Sequence, residues 1–261
     1  MANDAAPQPG DIYLGFNGVD SYVEIPCIDA YGVASAGALT VSAWMRPDAL
    51  NFDNFEGTGY VYWIGKREGA GATGQQEWAL RMYNREGTQE DPPRPNRISF
   101  YLFNPEGGLG VDSFTPHTVR EHAWIHIVGV ADSARTYFYR NGTYVRCDTY
   151  QGPSQGGCPI HFQAPSNQDK QLVIQPRNGS APLRFGTRDF ASYFKGGLSR
   201  VRIWSRTLLA SEIADLYTTH TVPRDRLVAE FMLNAGTGQM AADTAKGNDG
   251  TIFNATWETQ R

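Results

Sequence analysis

The chain has 261 residues and a formal net charge of -4, with charged residues at only 19% and both signs spread evenly, so it shows no electrostatic footprint for nucleic acid or an anionic membrane. Gly 28, Pro 15 and 12% aromatics describe a turn-rich, strand-rich chain, long enough as one β domain to bury roughly 70 to 75% of its unfolded surface without staples. No apolar run approaches the ~20 residues of a membrane span. The start, MANDAAPQPGD, lacks the basic and apolar regions of a signal peptide, so the sequence reads as cytoplasmic or trimmed of an export signal.

Residues 1-10 are expected to form a disordered tail. "IYLGF" and "SYVEI" then read as strands on either side of a turn, Asn17-Gly18-Val19-Asp20. Its two short oxygen-bearing side chains either bond their own backbone or hold a cation. "LTVSAWMRP", "YVYWIGKR", "EWALRMYN" and "RISFYLFN" follow as strands, with a polar, proline-rich loop over 85–97.

Further strands are read in "AWIHIVGVAD", "RTYFYRNGTYVRC", "QLVIQP", "LRFGT", "GGLSRVRIW", "LVAEFML" and "GTIFNATW". Asn141-Gly142 marks a tight hairpin, because a type I′ turn needs positive φ at both central positions. In "TLLASEIADLY" the spacing of Leu209, Ile213 and Leu216 predicts one short helix near 210–217, with Ser211 placed to cap it. Cys147 and Cys158 bracket a Gly- and Pro-containing loop that suits either a disulfide or two free thiols, and Cys27 reads as a small buried side chain.

Alternation sorts the side chains by face. Trp78, Leu80 and Met82 share one side of their strand and Arg81 and Tyr83 the other; Ile98, Phe100 and Leu102 look inward and Ser99, Tyr101 and Phe103 outward. Arg81, Tyr83, Tyr101 and Phe103 therefore form the expected ligand-binding set. Aromatic rings stack on the apolar C–H faces of sugars while arginine bonds hydroxyls or carboxylates. The alternative is that long loops cover these outward aromatics. Trp44, Trp124 and Trp204 are expected in the core, and His126 as a structural imidazole.

The ordered series "YLGFNGVDSYVEIP", "LTVSAWMRPD", "WIHIVGVAD", "TYFYRNGTYV", "LRFGT", "YFKGGLSRVRIWSRTLLASEIADLY" and "LVAEFMLNAGTGQMAADTAKGNDGTIFNATW" resembles the laminin G-like jelly rolls of the concanavalin A-like lectin and glucanase superfamily, pentraxins included. The resemblance implies an all-β, antiparallel β-sandwich, a single domain over 11–257, and an extracellular address. Phe231 to Gly250 usually opens such domains and here comes last, so it is expected to fold back beside the first strand, since an orphan strand pair would leave an apolar edge exposed; the alternative is that it starts a second, truncated repeat. The resemblance also implies a structural calcium site built from Asn17, Asp20, Asp243, Asn248 and the carbonyl of Gly250, with Ser199 standing where relatives often have an aspartate.

The expected function is a non-catalytic, lectin-like carbohydrate-binding domain, holding a polysaccharide or glycan on its concave sheet and rim loops. It stands alone or beside a catalytic domain in a longer parent chain. Alternatives are a polysaccharide lyase or glycoside hydrolase and a protein-adhesion domain. No Glu-x-Asp-x-x-Glu run, the retaining-glycanase signature of this superfamily, occurs in the chain. "YFKGG" and His161 resemble parts of a lyase site, whose Arg-x-Glu-x-Arg partner strand is missing.

Overall fold

The computed structural model describes residues 5–57, 59–67, 76–86, 94–103, 110–133, 135–149 and 176–261. Its strands in chain order are β1 Ile12–Asn17, β2 Tyr22–Ile25, β3 Leu39–Pro47, β4 Tyr60–Arg67, β5 Gln76–Tyr83, β6 Ile98–Leu102, β7 Val111–Phe114 and β8 Ile125–Ala131. They continue as β9 Arg135–Arg140, β10 Thr143–Thr149, β11 Leu183–Phe185, β12 Lys195–Trp204, β13 Leu227–Phe231, β14 Met240–Ala241, β15 Gly250–Phe253 and β16 Thr256–Thr259. Two helices, α1 Val33–Ala36 and α2 Ala210–Thr218, interrupt them.

Period-two patterning gives each strand one apolar face, and two antiparallel sheets bury those faces against each other. The first runs β10-β9-β8-β3-β12-β1-β16, with β13 also on β12; the second runs β14-β15-β2-β11-β4-β5-β6-β7. The all-β sandwich with one longer helix is therefore as the sequence predicts. Between the sheets lie Trp63, Trp78, Phe100, Phe138, Phe185 and Phe194. A methyl group at Gly129 on β8 would meet the Phe100 ring at 2.7 Å, so the inter-sheet distance there admits only glycine.

The chain end closes both sheets against its beginning. β15 pairs β2 in the second sheet, Asn254 turns the chain at φ 54, and β16 pairs β1 in the first sheet with Leu14 opposite Trp257. Gly10 N–H donates to the Gln260 carbonyl at 2.9 Å and Pro7 is buried. Residues 1–4 lie outside the described part.

The hairpin at Asn141 (φ 51) and Gly142 (φ 73) joins β9 to β10. Helix α2 lays Ile213 and Leu216 on Trp204, Val128 and Tyr139, covering part of the outer face of the first sheet. Its start differs from the expectation: Ser211 does not cap it. Glu212 accepts the Leu209 N–H at 2.8 Å, and Arg206 fixes that carboxylate at 2.7 and 2.6 Å, so a charged side chain inside the first turn does the work of a cap.

β7 lay unread in the sequence, because Val111–Phe114 is too short to show a period. Trp124 is half-buried at the sheet surface, its Nε1–H donated to Gln260 at 2.7 Å, while Trp44 and Trp204 are buried. The thiol of Cys27 is free and donates to the Gly179 carbonyl at 3.3 Å. "QLVIQP" before Pro176, the Cys147–Cys158 pairing and His161 fall outside the described residues. Among the described residues no helix is long and apolar enough to cross a membrane.

Candidate functional site

The second sheet's outer face carries the predicted ligand set. Arg81 pairs with Ser99 and Tyr62, and Ala79 with Tyr101, so the alternation read from the sequence holds strand by strand. Exposure does not follow. Tyr83 is 0% exposed, Arg81 4% and Phe103 9%, with Tyr101 half-buried.

These side chains consume one another's bonding capacity. Arg81 lies 4.0 Å from the Tyr101 ring centroid and 4.3 Å from that of Tyr60, donates to Ser99 Oγ at 3.0 Å and to the Tyr83 hydroxyl at 2.7 Å. Arg94 donates to the same hydroxyl at 3.1 Å, and the Tyr101 hydroxyl accepts the Gly110 N–H at 2.6 Å. Such a mutually stacked cation–π layer is a second, polar-lined packing layer and not an open sugar platform. The expectation that these four residues present themselves to ligand is corrected accordingly.

Next to it is a charged clasp. Arg188 stacks 3.7 Å over Tyr62 and 4.6 Å over Phe103, and reaches Glu56 at 3.2 Å and Asp189 at 2.8 Å; Arg67 meets Asp189 at 2.8 Å. Ser192 donates to Glu56 at 2.6 Å. Burial and the neighbouring Asp189 carboxylate push the Glu56 carboxyl up to about 7. Thr187 accepts the Phe190 N–H at 3.1 Å and donates to the Ser192 carbonyl at 2.6 Å, which locks the 187–192 segment.

That locked segment exposes an aromatic ring. Phe190 sits at φ 69 and is 41% exposed, a strained backbone for a bulky residue. Its ring meets Tyr22 edge-on at 5.0 Å, Tyr22 stacks on Phe253 at 4.6 Å with planes 15° apart, and Arg184 lies 4.4 Å over Phe190. Glu24 holds Arg184 at 2.8 Å. β2, β11 and β15 thus place an open aromatic cluster with an anchored guanidinium on one outward surface. Alternation in "SYVEI" and "GTIF" carried the signal for Tyr22 and Phe253. Phe190 follows no strand pattern and had none.

The five residues implied for calcium are not brought together. Asn17 and Asp20 form an Asx turn before β2: the Asn17 amide oxygen accepts the N–H groups of Val19, Asp20 and Ser21, and Asp20 takes the Asn17 and Asn254 amides at 2.8 and 3.0 Å. Asn248 lies off the other end of β2, donating to the Pro26 carbonyl at 2.9 Å. A four-residue strand at ~3.3 Å per residue keeps the two groups more than ~10 Å apart.

Asp243 has both oxygens occupied, accepting the N–H groups of Glu230, Ala245, Lys246 and Asn248. Gly250 is a packing glycine, where a methyl group would meet Val23 and Ile25 at 2.8 Å. A calcium ion wants six to eight converging oxygens; those of Asn17, Asp20 and Asp243 are committed elsewhere and the five residues do not converge, so this set does not fit it. Among the described residues no other group of three His, Cys, Asp or Glu side chains has metal-binding geometry.

His126 is structural as expected. It shares a 2.8 Å bond with Ser42, stacks near Trp44 and Tyr217, and is held down to about 3 by burial and by the Arg202 charge, so its ring stays neutral.

The fold is shared with solved structures at low identity. A protein from Bacteroides ovatus named as a candidate carbohydrate-binding protein superposes with a TM-score of 0.60 at 15% identity, over 95% of this chain and 60% of that one. This chain thus spans about 60% of that protein's length. The CBM40 of the Ruminococcus gnavus IT-sialidase superposes with a TM-score of 0.50 at 12% identity over 80% of this chain and 100% of that one, and has been solved with α2,3-sialyllactose bound. No curated protein matches the chain. The family model Laminin_G_3 matches residues 17–163, more than half the chain, and so the chain belongs to the concanavalin A-like lectin/glucanases superfamily.

Proposed function

We propose that this protein is a non-catalytic carbohydrate-binding domain whose glycan lies against the outer face of the second sheet, over Tyr22, Phe190 and Phe253. The observation that carries this reading is the exposed Phe190 ring, held at a left-handed φ beside the Tyr22–Phe253 stack. Strain persists where the surroundings over-determine it, and such sites cluster at ligand clamps. Stacked rings meet the C–H face of a pyranose, and Arg184, already oriented by Glu24, supplies directional N–H donors to its hydroxyls. The carbohydrate-binding neighbours support the same class of ligand.

Glu56 is the group an enzyme reading would use, since a carboxyl near 7 suits a general acid. Its oxygens are taken by Ser192 and Arg188, and Asp189 beside it is 3% exposed, so the pair serves as a clasp on the 187–192 segment. A glycan array with parallel reducing-end and unsaturated-product assays tests the proposal. Binding without turnover is expected; release of reducing ends or an unsaturated uronic product overturns it in favour of a hydrolase or lyase.

A further inference from the structure

Away from the aromatic cluster, a cavity of about 530 Å³ opens at the edge of the sandwich where β6, β8 and β9 meet the 115–124 connection. Three guanidinium groups line it, those of Arg97, Arg120 and Arg140, together with His117, Trp124 and Asn141. Among the described residues that line it, none is Asp or Glu. This concentration of positive charge stands out in a chain of net charge -4.

The walls are built and not incidental. Arg140 donates to the carbonyls of His117 and Thr118, both at 3.2 Å, which fixes the connection over the cavity. The Asn141 side chain accepts the His126 N–H at 3.0 Å, and the Val119 N–H reaches the Asn96 carbonyl at 2.9 Å. Within this frame the Arg97 Nε and Nη1 groups are buried and meet no hydrogen-bond acceptor among the described residues. Buried guanidinium donors without acceptors are costly, so Arg97 brings to the cavity wall a charge that its own described surroundings do not offset. Burial holds Arg97 below its ordinary range, and burial together with the Arg97 charge does the same for Arg140.

We propose that this cavity is an oxyanion site that takes the carboxylate or sulfate group of a small acidic ligand, with Arg97, Arg140 and Arg120 as the three converging charges. Planar guanidinium forks match both groups through paired N–H···O bonds. The volume lies in the range of small-molecule sites, so it has room for the body that bears the anion as well, with the Trp124 indole as an apolar wall. This site is independent of the aromatic cluster, and either assignment stands without the other.

Calorimetry on the full chain with glucuronate, glucose 6-sulfate, inorganic sulfate and neutral glucose tests it. Glucuronate or glucose 6-sulfate is expected to bind at least about tenfold more tightly than glucose, and which of the two binds better identifies the source of the anion. Arg120 is exposed, so Arg120→Gln is expected to leave the melting temperature unchanged and to weaken the charged ligands about fivefold, while Arg97→Gln abolishes their binding. Loss of sulfate binding in these variants upholds the oxyanion pocket whether or not a saccharide binds at the aromatic cluster, which the glycan array tests separately. Equal affinity for glucose and the charged ligands, or wild-type affinity in Arg120→Gln and Arg97→Gln alike, overturns the pocket.

Discussion

The Ser192 hydroxyl donates to the Glu56 carboxylate at 2.6 Å, tying the segment that leads into β4 to the one that follows β11. The Glu56 carboxyl is pushed up to about 7 from an ordinary 4.5 by burial and by Asp189. A group whose folded-state value is raised stabilises fully at pH below the unfolded value, and that stability is lost as pH rises through the folded value. Wild type is therefore expected to lose stability between about pH 4.5 and 7 relative to Glu56→Gln, by on the order of 2–3 kcal/mol. Denaturant melts of both proteins across that range check it, and parallel curves contradict it.

The stacked layer of Arg81, Tyr83 and Arg94 makes a separate prediction. Tyr83→Phe removes the acceptor of two guanidinium donors at a 0% exposed position, which is expected to cost about 1–3 kcal/mol of stability. Because the layer is closed, glycan affinity should stay within about twofold of wild type. A clear loss of affinity with unchanged stability would return these residues to the ligand surface.

Asp243 offers a test of the calcium question. Its carboxylate accepts four backbone N–H groups in a buried setting, so Asp243→Ala is expected to lower stability by about 2–4 kcal/mol. The loss should be the same in calcium and in chelator. A melting temperature that rises with saturating calcium in wild type and not in the variant would show that an ion does bind there.

Face assignment was legible in the sequence, and exposure was not. Strand period placed Arg81, Tyr83, Tyr101 and Phe103 on the outward side, as found, because alternation is a local property of extended backbone. Whether an outward ring meets water depends on what packs over it, and Arg94 and Arg188 come from segments whose approach no local pattern encodes. The return of β15 and β16 to β2 and β1 was expected from the family resemblance, whose opening segment comes last in this chain. The separation of Asp20 from Asn248 was not, since it follows from pairing register and not from motif spacing. Phe190, in an irregular segment defined by Ser192, Thr187 and Glu56, carried no period at all.

The most direct measurement is a calorimetric titration of an array-identified oligosaccharide into wild type and Phe190→Gly. Glycine relieves the φ of 69 and removes a ring that is 41% exposed, so the fold is expected to be at least as stable as wild type. Affinity should fall by about tenfold or more, the loss of a stacked ring at roughly 1–2 kcal/mol. Undiminished binding in Phe190→Gly would place the glycan elsewhere on the molecule and contradict the account.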